Sequence, residues 1–137
     1  MTRERAAGAA LAARGGRTYA GAAVDPLARE LAAVVGPAHV IADRDALLAW
    51  ECDGFTVQKQ SPLAVVLPAD TGEVQAVVRR LRRAGVPFVP RGAGTCLSGG
   101  PTPLQPAVVI ELARMNRILE VAADDLLAVV QPGVRNA

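Results

Sequence analysis

Residues 63–89 read "LAVVLPADTGEVQAVVRRLRRAGVPFV", and they carry most of what the sequence says about the fold. "LAVVL", 63–67, is an unbroken apolar run of strand length, the pattern of a strand buried on both faces. Pro68 closes it, and "DTGE", 70–73, has the layout of a capping box, with Asp70 at N-cap and Glu73 at N3. Val74, Val77, Val78 and Leu81 then recur at helical spacing. Arg79, Arg80, Arg82 and Arg83 take the other sides and the last turn, where cations complement the helix dipole; Gly85 is the expected C-cap. "VPFV", 86–89, is the next strand. Strand, helix and strand predict a βαβ unit whose two strands are parallel, with a right-handed crossover.

Upstream, Asp25-Pro26 predicts a helix start, with Asp25 as N-cap and Pro26 at N1. Leu27, Leu31, Val34 and Val35 form one face of that helix, and Gly36-Pro37 ends it. A second short helix is expected from Asp43 to about Trp50, with Leu47 and Trp50 inward, followed by a turn at "ECDG", 51–54. Downstream, "AVVIEL", 107–112, is a third strand. Residues 117–122 and 126–131 read as two strands around a turn at Asp124-Asp125. The expected class is α+β: N-terminal helices, then a βαβ unit with a small, mainly parallel sheet and the start of a second, antiparallel sheet. The expected division is a flexible tail over 1–24, a helical lead-in over 25–58 and a domain over 59–137. The tail is rich in Ala, Arg and Gly, with Glu4 its only acid. Arg14 and Arg17 interrupt any apolar region, which favours a loose terminus over a transit peptide.

With 137 residues, one domain at most is expected. Hydrophobic residues make up 51% and aromatics 3%, so the core is aliphatic. The net charge of +2 is too small to argue for nucleic acid. Lys59 is the only lysine among 15 basic residues, a compositional habit more than a binding device. Cys52 and Cys96 make no disulfide framework and no metal-ligand spacing, so a reduced, cytoplasmic setting is the default and no metal is expected. No charge-free apolar run reaches the 18 residues or so of a membrane span.

Between the strands at 86–89 and 107–112 lies "RGAGTCLSGG", 91–100, trailed by Pro101, Pro103 and Pro106. It leaves the carboxyl end of a strand, where ligands gather in open α/β sheets. Gly92 and Gly94 fit the start of a dinucleotide fingerprint, but Leu97 stands at the third position and the prolines forbid an immediate helix. No lysine is present for a P-loop. What remains is a phosphate cradle of loop amides. Gly92, Gly94, Gly99 and Gly100 can turn N–H groups inward, and Thr95 and Ser98 can add hydroxyl donors. Each hydrogen bond to a charged acceptor contributes about 1.5–3 kcal/mol, so four or five could hold a pyrophosphate. Arg91 could add charge or brace the loop, and the prolines stiffen its exit. An ordinary long connection over residues 90–106 is the other reading, and on spacing alone the two stand level.

The wider sequence separates them. "PRGAGTCLSGG" (90–100) resembles the first pyrophosphate loop of FAD-linked oxidases with the vanillyl-alcohol oxidase-type (PCMH-type) flavin domain. "WECDGFTVQKQSPLAVVLPADTGEVQAVVRRL" (50–81), "VVIELARMNRILEV" (108–121) and "VVQPGVRNA" (129–137) match the surroundings of that loop in order. Within the superfamily the chain is most similar to the glycolate oxidase FAD-binding subunit and its D-lactate dehydrogenase relatives. The resemblance implies that Pro90, Arg91, Gly92, Ala93, Gly94, Thr95, Cys96, Ser98, Gly99 and Gly100 surround the FAD pyrophosphate. It also implies that Gln131, Pro132 and Gly133 border the flavin. Members that attach FAD covalently carry a histidine where Thr95 stands, so the resemblance implies a non-covalent flavin. Cys96 replaces the usual glycine, a substitution costing about 1–2 kcal/mol if that position needs φ > 0.

The implied reaction is oxidation of a 2-hydroxy acid, such as glycolate or D-lactate, to the 2-oxo acid. In these enzymes a second glycine-rich segment, a substrate-binding cap, the active-site histidines and any metal ligands follow downstream. No catalytic residue is therefore assigned among these 137. The chain is read as the N-terminal FAD-binding portion, inactive and weakly flavin-binding by itself. A non-catalytic fragment or small binding module completed by a second chain is the alternative. The implied partners are FAD and either glycolate oxidase-type subunits or a complementing C-terminal chain. Membrane association would arise only through such subunits.

Other candidates carry less. His39 lies in a short link and reads as a surface or capping residue. Glu51 and Asp53, two apart in a turn, suit capping and solvation, and nothing orients His39 toward Cys52 as a nucleophile pair. Cys96, set among backbone donors, could be redox-sensitive but reads as a plain substitution. The arginines at 79, 80, 82 and 83 read as a solvated helix face.

Overall fold

A computed structural model describes residues 21–135. Helix α1 (Gly21–Val35) is followed by a 3-10 turn (Pro37–His39), strand β1 (Val40–Ile41) and a second 3-10 turn (Ala46–Trp50). Strand β2 (Ala64–Val66), helix α2 (Thr71–Ala84) and strand β3 (Phe88–Arg91) form the strand–helix–strand unit. Strand β4 (Val108–Glu111) and a hairpin of β5 (Ile118–Ala122) and β6 (Leu127–Val130) complete the order.

β2 lies parallel to β3, as its pattern requires, but the two are not neighbours. The sheet order is β1-β2-β4-β3, with β4 parallel to both β2 and β3 and β1 antiparallel at the far edge. Adjacent parallel strands cannot be joined by a tight turn, since the chain must return to the start of the sheet. Residues 92–107 make that return between β3 and β4 without a helix. The length of the connection thus has a topological cause as well as any ligand-related one.

The alternation of a strand divides the core. Ala64 and Val66 of β2 and Val108 and Ile110 of β4 pack with Leu27, Leu31 and Val35 of α1 and Val77 and Leu81 of α2. Val65 and Val109 face the opposite way, onto Leu47, with Trp50 beside them. Both faces of β2 and β4 are covered, which is why 63–67 lacks polar alternation. Met115 apart, the buried hydrophobics among the described residues are aliphatic, with Phe88 and Trp50 packed against them, and each fully buried Val or Leu contributes about 1.5–3 kcal/mol.

α2 is bounded by its own sequence. Asp70 Oδ1 accepts from the Glu73 amide at 2.9 Å, and Glu73 Oε2 accepts from the Ala69 amide at 2.7 Å. Gly85 ends the helix at φ 65°, a left-handed conformation that costs glycine nothing.

Three expectations are corrected. α1 begins at Gly21, before Asp25, and Pro26 lies inside the helix. Ala22 and Ala23, the best helix formers, favour helix upstream of the proline. The expected tail therefore ends in helix, and residues 1–20 lie outside the described residues. The segment before Trp50 is a 3-10 turn of five residues and no α-helix. Val40 and Ile41, inside the expected helical lead-in, pair with Val66 and Val65 and so belong to the sheet. Among the described residues no helix is long and apolar enough to cross a membrane.

Replacing Asp70 with alanine removes the N-cap acceptor of α2. We expect a loss of about 1 kcal/mol in urea denaturation, with the slope of the transition unchanged.

Candidate functional site

The carboxyl ends of β2, β3 and β4 lie together because the strands are parallel. Above them opens a cleft of about 580 Å³, bounded by Trp50, Arg91, Gly92, Ala93, Glu111 and Gly133 among others. The glycine loop leaves β3 at its edge, and the segment after β6 closes the other side. The two meet where a Cβ on Gly92 would stand 3.6 Å from the Pro132 carbonyl oxygen. Gly133 donates its amide to the Met115 carbonyl at 2.8 Å, and a Cβ there would strike the Leu112 carbonyl.

Beneath the loop lies a buried charge network. Arg91 and Glu111 are partners in the β3–β4 ladder and are only 9% and 6% exposed. Arg91 Nε stands 3.5 Å from Glu111 Oε2, and Arg91 Nη1 donates to the Cys52 carbonyl at 2.7 Å. The same Glu111 oxygen accepts from Trp50 Nε1 at 3.0 Å. Burial pushes the Glu111 carboxyl above its ordinary range, opposed in part by the Trp50 hydrogen bond, the Arg91 charge and the Ala113 amide. Gly94, at φ +70°, lies against the Arg91 guanidinium so closely that a Cβ would collide with it. With its donors turned to Cys52 and Glu111, Arg91 braces the loop from below.

The loop's own amides are little used. Among the described residues, none from 93 to 97 donates to another backbone group; Ser98 donates to Cys96 Sγ at 3.4 Å and Thr102 to the Gly99 carbonyl at 3.1 Å. The carbonyls of Thr95 and Cys96 point toward Gly54, where a Cβ would meet them at 3.4 and 3.0 Å. In a trans peptide the following N–H points the opposite way. With no cis bond here, the amides of Cys96 and Leu97 are turned away from Gly54.

The expected residues are distributed as follows. Arg91, Gly92, Ala93 and Gly133 bound the cleft. Pro90 is exposed and lies within β3, an edge strand that tolerates its missing N–H. Thr95 is exposed. Ser98, Gly99 and Gly100 bound a second depression of about 450 Å³ on the other flank of the loop, beside the buried, unpartnered Thr102 hydroxyl. Gln131 exchanges hydrogen bonds with the Arg117 backbone at 2.9 and 3.0 Å and so ties the mouth of the β5–β6 hairpin.

Sequence reading missed Glu111 and Trp50. The available signal was a lone acid closing the apolar run of β4. Of the capping and solvation expected of Asp53, the capping is present and the solvation is not. Asp53 is buried, with Oδ1 accepting from the Phe55 amide at 2.8 Å and Oδ2 lacking a partner. Glu51 is separate from it, paired with Lys59 at 2.7 Å. Arg79, Arg82 and Arg83 are exposed.

Comparison with known proteins places this geometry. Residues 62–137, more than half of the chain, match the family described as FAD binding domain. The chain is 44% identical over 90 residues to the glycolate oxidase subunit GlcD of Escherichia coli K12, covering 66% of this chain and 18% of that protein. It is 39% identical over 114 residues to the D-2-hydroxyglutarate dehydrogenase of Stutzerimonas stutzeri, covering 82% of this chain and 25% of the relative. The fold superposes on substrate-bound p-cresol methylhydroxylase with a TM-score of 0.72 at 24% identity, over 80% of this chain and 22% of the other. The chain thus spans a quarter or less of the length of these relatives. The fold is that of part of a PCMH-type domain, and FAD is its cofactor.

The raised Glu111 pKa carries a pH signature. In the unfolded chain the group titrates near its ordinary 4.5, whereas the folded chain holds the proton to higher pH. The fold binds more protons in that window, so this group's contribution is full below 4.5 and is lost as pH rises through the folded value. Urea midpoints of the wild type should therefore fall relative to those of Glu111→Gln as pH rises above the ordinary 4.5. Parallel curves would contradict this reading.

Proposed function

The chain belongs to the FAD binding domain family, and from that premise we propose that residues 91–100 seat the FAD pyrophosphate within a 2-hydroxy acid oxidoreductase. The observation that carries the reading is the row of amides at 93–97 that the fold leaves without backbone acceptors, beside a cleft at the carboxyl ends of parallel strands. Ala93, Thr95 and Leu97 are exposed and Gly94 and Cys96 half-buried, so these amides stay open to solvent and to a ligand, and a diphosphate with about two negative charges would engage several at once.

A bound FAD would accept a hydride equivalent from the 2-hydroxy acid and pass electrons on. This chain's residues bind and orient. The amides of 93–97 face the phosphates, joined by the Thr95 and Ser98 hydroxyls. Gly92 and Gly133 let the cofactor approach the main chain closely. Trp50, Leu67 and Ile118 supply apolar wall to the cleft, which keeps water from the ring system. Arg91 supports the loop from below and leaves anion binding to main-chain dipoles. Thr95 offers no ring nitrogen for a covalent link, so the flavin is held without one. Substrate recognition and proton transfer belong to the remaining three quarters of the assembled enzyme, in keeping with the share of the relatives spanned here. The relatives' names favour glycolate or D-2-hydroxyglutarate as substrate class, and a glycolate oxidase-type subunit as partner.

The test is an FAD titration of the purified chain, followed both by flavin emission and by the emission of Trp50, the sole tryptophan. Both should quench together. Gly94→Val, which forces a branched side chain onto Arg91 at φ +70°, should weaken binding at least about tenfold, a loss of about 1.4 kcal/mol. Uptake unaltered by that substitution, in a chain still folded by circular dichroism, would refute the cradle.

A further inference from the structure

We propose that Glu111 is the positioning residue of the glycine loop and acts through Arg91. The inference rests on the reading of that loop as the pyrophosphate seat and deepens it, by naming what holds the seat in shape.

The loop has few anchors of its own, because its amides from 93 to 97 make no backbone hydrogen bonds. Its left-handed turn at Gly94 rests on the Arg91 guanidinium, and only a residue without Cβ fits there. The position of the turn is therefore the position of that guanidinium. Arginine side chains are long, and an unpaired one would sample several rotamers. Here two contacts remove that freedom: the Cys52 carbonyl at 2.7 Å and the Glu111 carboxylate at 3.5 Å.

Glu111 is itself held. It comes from the central strand β4, directly opposite Arg91 in the ladder, and its Oε2 is fixed by Trp50 Nε1 at 3.0 Å. Indole, carboxylate, guanidinium and Gly94 thus form a continuous stack from the 46–50 turn, across two strands, to the loop. Because Glu111 neutralises Arg91, the brace can be buried without an uncompensated charge. A preformed loop is spared the ordering cost that a flexible one meets on binding.

The experiment measures loop order and cofactor affinity separately on the full chain. Backbone ¹⁵N order parameters for Gly92–Leu97 should be about 0.85 in the wild type and fall below about 0.6 in Glu111→Gln, with α2 and β2 unchanged. FAD affinity should fall about tenfold in parallel. Unaltered loop order in Glu111→Gln overturns the proposal, as does equal loosening throughout α2 and β2, which marks a general structural role. Should Glu111→Gln fail to fold, the paired replacement Arg91→Met with Glu111→Leu removes both charges at once. The proposal then requires a folded core with a loosened loop, and an ordered loop in that variant overturns it. A wild type that binds no FAD, with a loop loosened by Glu111→Gln, refutes the cofactor seat but upholds the positioning. Tight FAD binding with an unaltered loop refutes the positioning and leaves the seat standing.

Discussion

β3 and β4 run side by side in the same direction, and the rest of the site follows from that pairing. Parallel neighbours force the chain to leave at one end of the sheet and re-enter at the other. In most α/β proteins a helix makes that return. Here residues 92–107 do so as irregular chain, so a run of glycines and prolines is stretched across the mouth of the sheet. The same pairing places Arg91 opposite Glu111 and gathers three strand ends beneath one cleft. A helix in this connection would satisfy most of its own amides. The irregular loop leaves those of 93–97 without backbone acceptors.

The charges are arranged to serve the main chain. A basic residue beside a phosphate loop invites the assumption of a direct ion pair with the phosphate. Arg91 is instead buried, opposite an acid and against a glycine, with Nη1 on the Cys52 carbonyl and Nε beside the Glu111 carboxylate. In the proposed seat, positive potential would then come mainly from peptide dipoles, which need no counter-ion. Such a site depends on backbone geometry more than on side-chain identity. That accounts for a loop in which Gly94 has no tolerated substitute, while its neighbour Thr95 is exposed and touches little.

The β5–β6 hairpin stands apart from this logic. Its mouth is tied by bonds between Gln131 and Arg117 and from Gly133 to Met115, and Met115 in turn donates to the Leu112 carbonyl. Beyond that, Ile118, Leu119, Val121, Leu127, Val129 and Val130 are exposed, and no layer covers them among the described residues. Two-stranded hairpins are marginal by themselves in water. The chain spans a quarter or less of the length of these relatives.

Local chemistry made much of this legible in advance. The capping box at Asp70, the C-cap at Gly85, the doubly buried run at 63–67 and the hairpin around Asp124 depend on residues near one another in sequence, and each was found. The irregular connection after β3 was legible for the same reason: its glycines and prolines, which forbid a helix, lie close together in the sequence. Tertiary structure alone decided that β4 inserts between β2 and β3, that Val40–Ile41 joins the sheet, and that Trp50, Glu111, Arg91 and Gly94 stack. These contacts join residues as much as 61 positions apart, and their partners are chosen by strand order, which no local pattern encodes. The ionic brace was invisible for a further reason: an arginine looks the same in sequence whether its charge faces a ligand or a buried acid, and only burial tells them apart.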